Sequence, residues 1–367
     1  MLLFPPQRVR DAQAATAAAG LGALLLSPGA DLRYLTGYDA HQLERLTLLV
    51  LPADGEPTLI VPTLERPAAE ASPAPDTGVR IVEHADGTDP YPLVQQALKG
   101  SDGPVGLANR MWAEHVLALR AALPGREQRL ASEVLSALRM RKSAAEVEAL
   151  RRAGAAIDAV HRSMGDWLRV GRTEAEVAAD IAAAIREAGH ATVDFTIVAG
   201  GPNGASPHHG TSDRTIGEGE PVVVDIGGTM PDGYCSDSTR VYVVGSPPAE
   251  FLRAYDALYA AQRAAVAAVR PGVPAEAIDA TARDLLTEHG YGDRFLHRTG
   301  HGIGLDGHEE PYIVAGNELL LEPGMAFSIE PGVYLAGRFG ARIEDIVVCT
   351  ADGVERLNTI PTELVQL

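Results

Sequence analysis

Along the first 130 residues, short apolar runs alternate with longer stretches of mixed character. GALLL (22–26), LTLLVL (46–51), TLIVP (58–62) and VRIVE (79–83) are bounded by Gly, Pro or Asp, which predicts strands. The Ala-rich or charged stretches between them predict helices, so this part reads as an α/β domain, and nothing in it has catalytic spacing. A long helical pattern follows from about Ser132 to Trp167, rich in Ala, Leu, Glu and Arg. Its middle, LRMRKSAAEVEALRRAG, reads as the bridge between two domains. The expected division is a smaller N-terminal α/β domain over residues 1–135 and a second domain over 136–367.

The second domain carries an internal repeat. GRTEAEVAADIAAAIREAG and GVPAEAIDATARDLLTEHG are each bracketed by glycines, Gly171 and Gly189 in one, Gly272 and Gly290 in the other. Val177, Ile181 and Ile185 mark one helical face, and Ile278, Ala282, Leu285 and Leu286 mark the other. Thr173 and Glu176 have capping-box spacing at the first helix start. VVVDIGG and SDSTRVYVVG follow the first helix; MAFSIEPGVYL and ARIEDIVVC follow the second. Two such halves would bring their strand carboxylates into one cleft.

Each half contributes two acids from apolar runs. Asp225 closes Val222-Val223-Val224, and Asp237 is expected just before a strand from Thr239 to Val244. Glu330 follows Phe327-Ser328-Ile329, and Glu344 follows Ile343. A carboxylate at a buried strand end is costly to desolvate without a partner, and four together repel one another. Divalent cations are the usual remedy. His301, within TGHGIGLDGHEEP, adds a nitrogen donor. Four carboxylates and an imidazole suit two adjacent ions about 3.5–4 Å apart, the arrangement that activates water for hydrolysis. Gly302, Gly304 and Gly307 also satisfy G-x-G-x-x-G, but the dinucleotide fingerprint requires a strand before and a helix after. His308-Glu309 begins no H-E-x-x-H helix, so a single-zinc protease site is not indicated.

Composition narrows the classes further. With 31 Lys and Arg against 49 Asp and Glu, the chain carries a formal charge of −18, which opposes a nucleic-acid or anionic-membrane surface. The longest apolar stretches fall far short of a membrane span. Cys235 and Cys349 lack metal-type spacing and are too few for a disulfide framework. The opening MLLFPPQRVR has no signal-peptide pattern, so a cytoplasmic location is expected.

The ordered motifs SPHHG, VVVDIGG, YCSDSTR, HRTGHGIGLDGHE, SIEPGVY and ARIED resemble those of the pita-bread metallopeptidases: methionine aminopeptidase, aminopeptidase P and Xaa-Pro dipeptidase (prolidase). The resemblance covers the whole chain. It implies an α+β pita-bread (creatinase/aminopeptidase) catalytic domain with pseudo-twofold halves, preceded by a smaller α/β N-terminal domain.

Asp225 would chelate one metal, His301 and Glu330 would hold the other, and Asp237 and Glu344 would bridge the pair. Glu330 would also shuttle a proton to the leaving amine. His208 matches the family's substrate-side histidine, and His308 the histidine that contacts substrate and stabilises the tetrahedral intermediate. For Arg342, a substrate contact and a structural salt bridge both fit. Proline-specific relatives often have Phe two residues before the Thr of their TIVA run. Here Asp194 holds that place and Phe195 follows, so Phe195 and Ile197 read either as a proline-pocket wall or as plain strand core.

The implied function is hydrolysis of Xaa-Pro bonds in short proline-containing peptides, as an Xaa-Pro dipeptidase. An aminopeptidase P acting on longer peptides is the runner-up, and a catalytically silent binding module comes from a different class. All five metal positions are present, which opposes both that module and the metal-free amidinohydrolase reading. Mn2+ is the expected metal, with Co2+ or Zn2+ also suited. A homodimer is expected, with no nucleic-acid or membrane partner.

Overall fold

A computed structural model of the chain describes residues 2–367. It divides into two compact units, Met1–Arg139 and Met140–Leu367. The first is built on a six-stranded mixed sheet in the order Arg80–His84, Thr58–Pro62, Leu48–Pro52, Ala23–Leu26, Val105–Leu107, Gln128–Leu130. The four apolar runs of the sequence all lie in this sheet. Ala23–Leu26, Leu48–Pro52 and Thr58–Pro62 are buried at every residue, as strands covered on both faces must be. The edge strand Arg80–His84 is exposed at Arg80 and Glu83, half-buried at Ile81 and Val82 and buried at His84.

The long helical pattern is interrupted. Helices run over Ser132–Met140, Ala144–Arg162 and Met164–Trp167. Between the first two, Lys142 N–H donates to Gly324 O at 2.8 Å and Arg141 bridges Met325, so the backbone leaves the helix to pair with a distant segment. Ser143 then restarts the helix with a capping box: its N–H donates to Glu146 Oε2 at 2.9 Å and its Oγ accepts from Glu146 N–H. Periodicity carried across this gap because the apolar positions on either side stay nearly in phase.

The second unit repeats helix-then-sheet twice. Helix Glu174–Glu187 precedes a four-stranded sheet ordered Val365–Gln366, Cys235–Val243, Pro221–Thr229, Thr192–Gly200. Helix Ala275–Glu288 precedes a five-stranded sheet ordered Glu309–Ile313, Gly300–Gly302, Ala326–Ile329, Asp345–Thr350, Gly353–Arg356. Gly171, Gly189, Gly272 and Gly290 all have positive φ, so the repeated glycines mark turns that L side chains resist, beyond any likeness of composition. Val177, Ile181, Ile185, Ile278, Ala282 and Leu286 are buried as expected, while Leu285 is half-buried.

Candidate metal centre

Antiparallel pairing of Pro221–Thr229 with Cys235–Val243 sets Asp225 opposite Thr239 and Gly227 opposite Asp237. Cross-strand partners share a face, so Asp225, Asp237 and Thr239 point the same way. Asp237 therefore lies inside its strand, which begins at Cys235, and not ahead of a strand starting at Thr239. The polar Ser-Asp-Ser-Thr run hid the strand from a search for apolar residues. On the other side, Ile197 faces Asp225 and Phe195 faces Gly227. A Cβ on Gly227 would meet Phe195 Cζ at 2.5 Å, so the glycine makes room for that ring beside the acids.

The second half delivers its acids at strand breaks. Glu330 follows Ala326–Ile329, and its N–H donates to Thr299 O at 2.8 Å. Glu344 sits between Phe339–Arg342 and Asp345–Thr350, its N–H donating to Thr239 O at 3.2 Å. His301 is the middle residue of Gly300–Gly302. Its Nδ1 donates to Gly302 O at 3.1 Å, which turns Nε2 toward the acids. Burial opposes charge on the ring, but hydrogen bonding to Glu330 and the charges of Glu330 and Asp237 outweigh it and raise His301 above its ordinary value, so Nε2 carries a proton that a cation would displace. Nε2 lies 3.2 Å from Glu330 Oε1 and 3.7 Å from Asp237 Oδ2.

These side chains form clusters whose donor atoms lie within 4.8 Å of one another: Asp225, Asp237 and Glu344; His301, Glu330 and Glu344; and Asp237, His301 and His308. Asp225, Asp237, His301 and Glu344 are buried, and Asp225 Oδ1 and Glu344 Oε1 have no hydrogen-bond partner among the described residues. Burial, then Asp225, raises Asp237 well above the ordinary carboxylate range; burial, then Asp237, does the same to Glu344. Burial also pushes Glu330 upward, but the hydrogen bond and charge of His301 outweigh it and hold Glu330 at about 2. Orphaned, mutually repelling carboxylates around an imidazole nitrogen whose proton a metal can displace fit divalent cations by charge and by donor type.

Other side chains orient this cluster. Thr239 Oγ1 donates to Glu344 Oε2 at 2.7 Å, and Ser328 Oγ donates to Glu330 Oε1 at 3.0 Å while accepting from His301 N–H at 2.9 Å. Arg342 is buried against Asp225 at 2.5 Å, and its remaining donors go to Thr239 Oγ1, Tyr334 Oη and Pro207 O. Tyr334 Oη also contacts His297 Nε2 at 2.8 Å. Sequence reasoning did not single out Thr239, Ser328, Tyr334 or this role for His297. The first two were within reach, since each stands two residues from an acid and so shares its face in an extended chain.

The two histidines of interest lie at the mouth of the cluster. The His308 ring stacks on His301 with 3.7 Å between centres, and its Nδ1 is 3.2 Å from Arg298 Nη2. Shielding of its ring, then the neighbouring His301, lowers His308 to about 4, which keeps it neutral. His208 is exposed on the loop after Gly201–Ala205, and its charge contributes to the lowered values of both His297 and His308. That loop is tied down by Glu174, a fully buried carboxylate unnoticed in the sequence. Glu174 accepts from Gly200 N–H at 2.7 Å, Ser212 Oγ at 2.6 Å, Asn203 Nδ2 at 2.9 Å and His209 Nε2 at 2.9 Å. The Gly302–Gly307 run leads into strand Glu309–Ile313, not a helix, so it lacks the dinucleotide-binding context.

The profile of Metallopeptidase family M24 matches residues 148–351, and that of the Creatinase/Prolidase N-terminal domain matches residues 8–141. A probable dipeptidase PepE of Mycobacterium tuberculosis is 55% identical over 359 residues, which is 98% of this chain and 96% of that protein. An Xaa-Pro dipeptidase of Lactobacillus delbrueckii subsp. lactis is 36% identical over 352 residues, 94% of this chain and 95% of its own length. Among solved structures, a prolidase from Thermococcus sibiricus matches with a TM-score of 0.93 at 38% identity, covering 100% of each chain.

Proposed function

The chain belongs to metallopeptidase family M24, and from that footing we propose that it is an Xaa-Pro dipeptidase working with two divalent ions, Mn2+ by preference. The observation that carries the reading is the pair of donor clusters, Asp225-Asp237-Glu344 and His301-Glu330-Glu344, joined through Glu344. Asp225 would serve one ion, His301 and Glu330 the other, with Asp237 and Glu344 shared. When bound, such ions supply Lewis acidity for the scissile carbonyl and an acidified water.

The chain's own residues do the rest. Glu330, ionised and beside His301, takes the proton from water and returns it to the leaving amine. Neutral His308 at the mouth donates to the oxyanion, and His208 holds the substrate from the opposite loop. Phe195 and Ile197, on the face that carries Asp225 and Asp237, offer an apolar wall for a proline ring that has no N–H to satisfy. Arg342 holds Asp225 in place through its buried ion pair. The same reading includes short proline-containing peptides as substrates and a homodimer in the cytoplasm.

The test compares kcat/KM for Ala-Pro, Ala-Ala and Ala-Pro-Ala, with added Mn2+ and after exhaustive chelation. Chelation should abolish turnover, and Ala-Pro should exceed Ala-Ala by about a hundredfold, roughly 2.7 kcal/mol of transition-state binding. Preference for Ala-Pro-Ala would move the assignment to an aminopeptidase P. Full activity in protein shown by elemental analysis to be metal-free would overturn it.

A further inference from the structure

Glu309 follows the histidine at the mouth of the metal cluster, yet its carboxylate turns away from solvent. Its side chain is 8% exposed and accepts from the ammonium of Lys142, itself 1% exposed, at 2.5 Å. Among the described residues that ammonium pairs with no other carboxylate. A buried ion pair is a poor source of stability, because desolvating two charges offsets most of their attraction and packed apolar side chains would serve as well. What this pair does hold is geometry. Lys142 N–H donates to Gly324 O at 2.8 Å, and a Cβ on Gly324 would meet Lys142 O at 2.7 Å, so the two backbones are in close contact. Strand Ala326–Ile329, which delivers Glu330, begins two residues later, and the ammonium therefore stands on a base shared with the centre.

The other end of the pair closes the turn that carries His308. Glu309 lies opposite Gly302 across the strands, next to His301. A Cβ on Gly304 would meet Glu309 Oε1 at 2.7 Å, and the same oxygen accepts from Lys142, so the carboxylate is wedged between the ammonium and the turn's own backbone. Gly304 N–H donates to Asp306 O at 3.0 Å, and Gly304 O accepts from Cys235 N–H at 2.9 Å, which ties the turn to the first half's sheet. His308 has far less to hold it. Its side chain is exposed, and its contacts are the ring of His301 and one guanidinium nitrogen of Arg298. Successive side chains of an extended segment point to opposite faces, so drawing Glu309 inward onto Lys142 turns His308 the other way, over His301.

On the transition-state role given to His308 above, we propose that Lys142 is a positioning residue for the peptidase reaction: through its ion pair with Glu309 it sets where the His308 ring stands over the metal cluster. Neither member of the pair touches substrate, and both act through the ring.

A double-mutant cycle on the full chain tests this. Lys142→Met removes the cation; Glu309→Gln keeps the size and an acceptor while removing the charge, and it carries the test should Lys142→Met not fold. In Ala-Pro hydrolysis each should lower kcat at least about tenfold, with KM within about threefold and both ions retained by metal titration. Introduced into His308→Ala, the same changes should cost less than about twofold, because the ring they act through is gone. Equal losses in the two backgrounds would reduce the pair to a prop of the fold and overturn the proposal, as would an unchanged kcat or loss of the ions. A second measurement needs no turnover. Labelling of His308 by diethyl pyrocarbonate, read by peptide mass spectrometry against exposed His289, should quicken at least about threefold in either variant as the ring leaves its stack. If the unmutated chain cleaves no Xaa-Pro peptide, or His308→Ala keeps its full kcat, the reading of the reaction fails and the labelling decides the placement alone. Unchanged labelling would show that the ring stays put without the pair and would sink the proposal.

Discussion

Thr239 shows how much of the centre depends on residues that would not touch a metal. Its hydroxyl donates to Glu344 and accepts from Arg342, which in turn grips Asp225. One side chain thus orients an acid from each half. Thr239→Val keeps the shape and removes both bonds, so metal affinity should fall about 10- to 100-fold with little change in secondary structure, read by metal titration and circular dichroism. Undiminished affinity would mean that the backbone alone fixes Glu344. A second comparison separates holding metal from using it. Asp237→Asn should lower metal occupancy, because a shared carboxylate loses its charge. His308→Ala should retain both ions and lose on the order of 10²–10³ in kcat, since its contribution belongs to the transition state. Loss of metal in His308→Ala would reverse that division of roles.

At the level of elements, the contrast between Ser143 and Glu174 separates stability from presentation of the site. Ser143 caps helix Ala144–Arg162, and Ser143→Ala should cost about 1 kcal/mol of stability while leaving kcat/KM unchanged. Glu174 stands at the start of helix Glu174–Glu187 and ties down the loop that carries His208. Glu174→Gln keeps the shape but weakens those bonds. A loop displaced by about 1 Å should cost on the order of 10²-fold in kcat/KM, with metal occupancy unchanged. Equal effects of the two variants on kinetics would deny Glu174 a positioning role. This contrast also marks what the sequence discloses. Apolar runs such as TLIVP and VVVD declare their strands because burial on both faces demands them, and the glycines at 171, 189, 272 and 290 declare their turns. The centre's acids were legible because a charge at the edge of an apolar run is conspicuous. The helix break at Arg141–Ser143 and the Glu174 anchor were not, because both are set by partners far along the chain: Gly324 for one, and the 200–212 loop for the other.

For the molecule as a whole, the acids make folding depend on whatever neutralises them. Asp237 and Glu344 are raised well above their ordinary values of 3.8 and 4.5, by burial first and by neighbouring carboxylates second. A carboxyl raised in the fold keeps a proton that the unfolded chain has released, so stability falls as pH rises across that interval. The loss is absent below about pH 4, sets in as the unfolded carboxyls ionise, and grows until the raised values are passed. Glu330, held at about 2, works in the opposite sense: its contribution is complete above 4.5 and disappears as pH falls toward 2. Buried His161, lowered to about 3 by burial and then by Arg240, titrates too, but it lies outside the donor clusters, so its effect cancels between metal-free and metal-loaded protein. Bound cations favour the ionised carboxylates and displace their protons. The Tm gap between loaded and metal-free protein should therefore widen from about pH 5 to pH 8. Calorimetry in buffers of different ionisation enthalpy should show net proton release on binding Mn2+, and Asp237→Asn should shrink both effects. A gap that stays constant with pH, together with binding that releases no protons, would mean that these acids are already ionised without metal and that repulsion among them does not govern the fold.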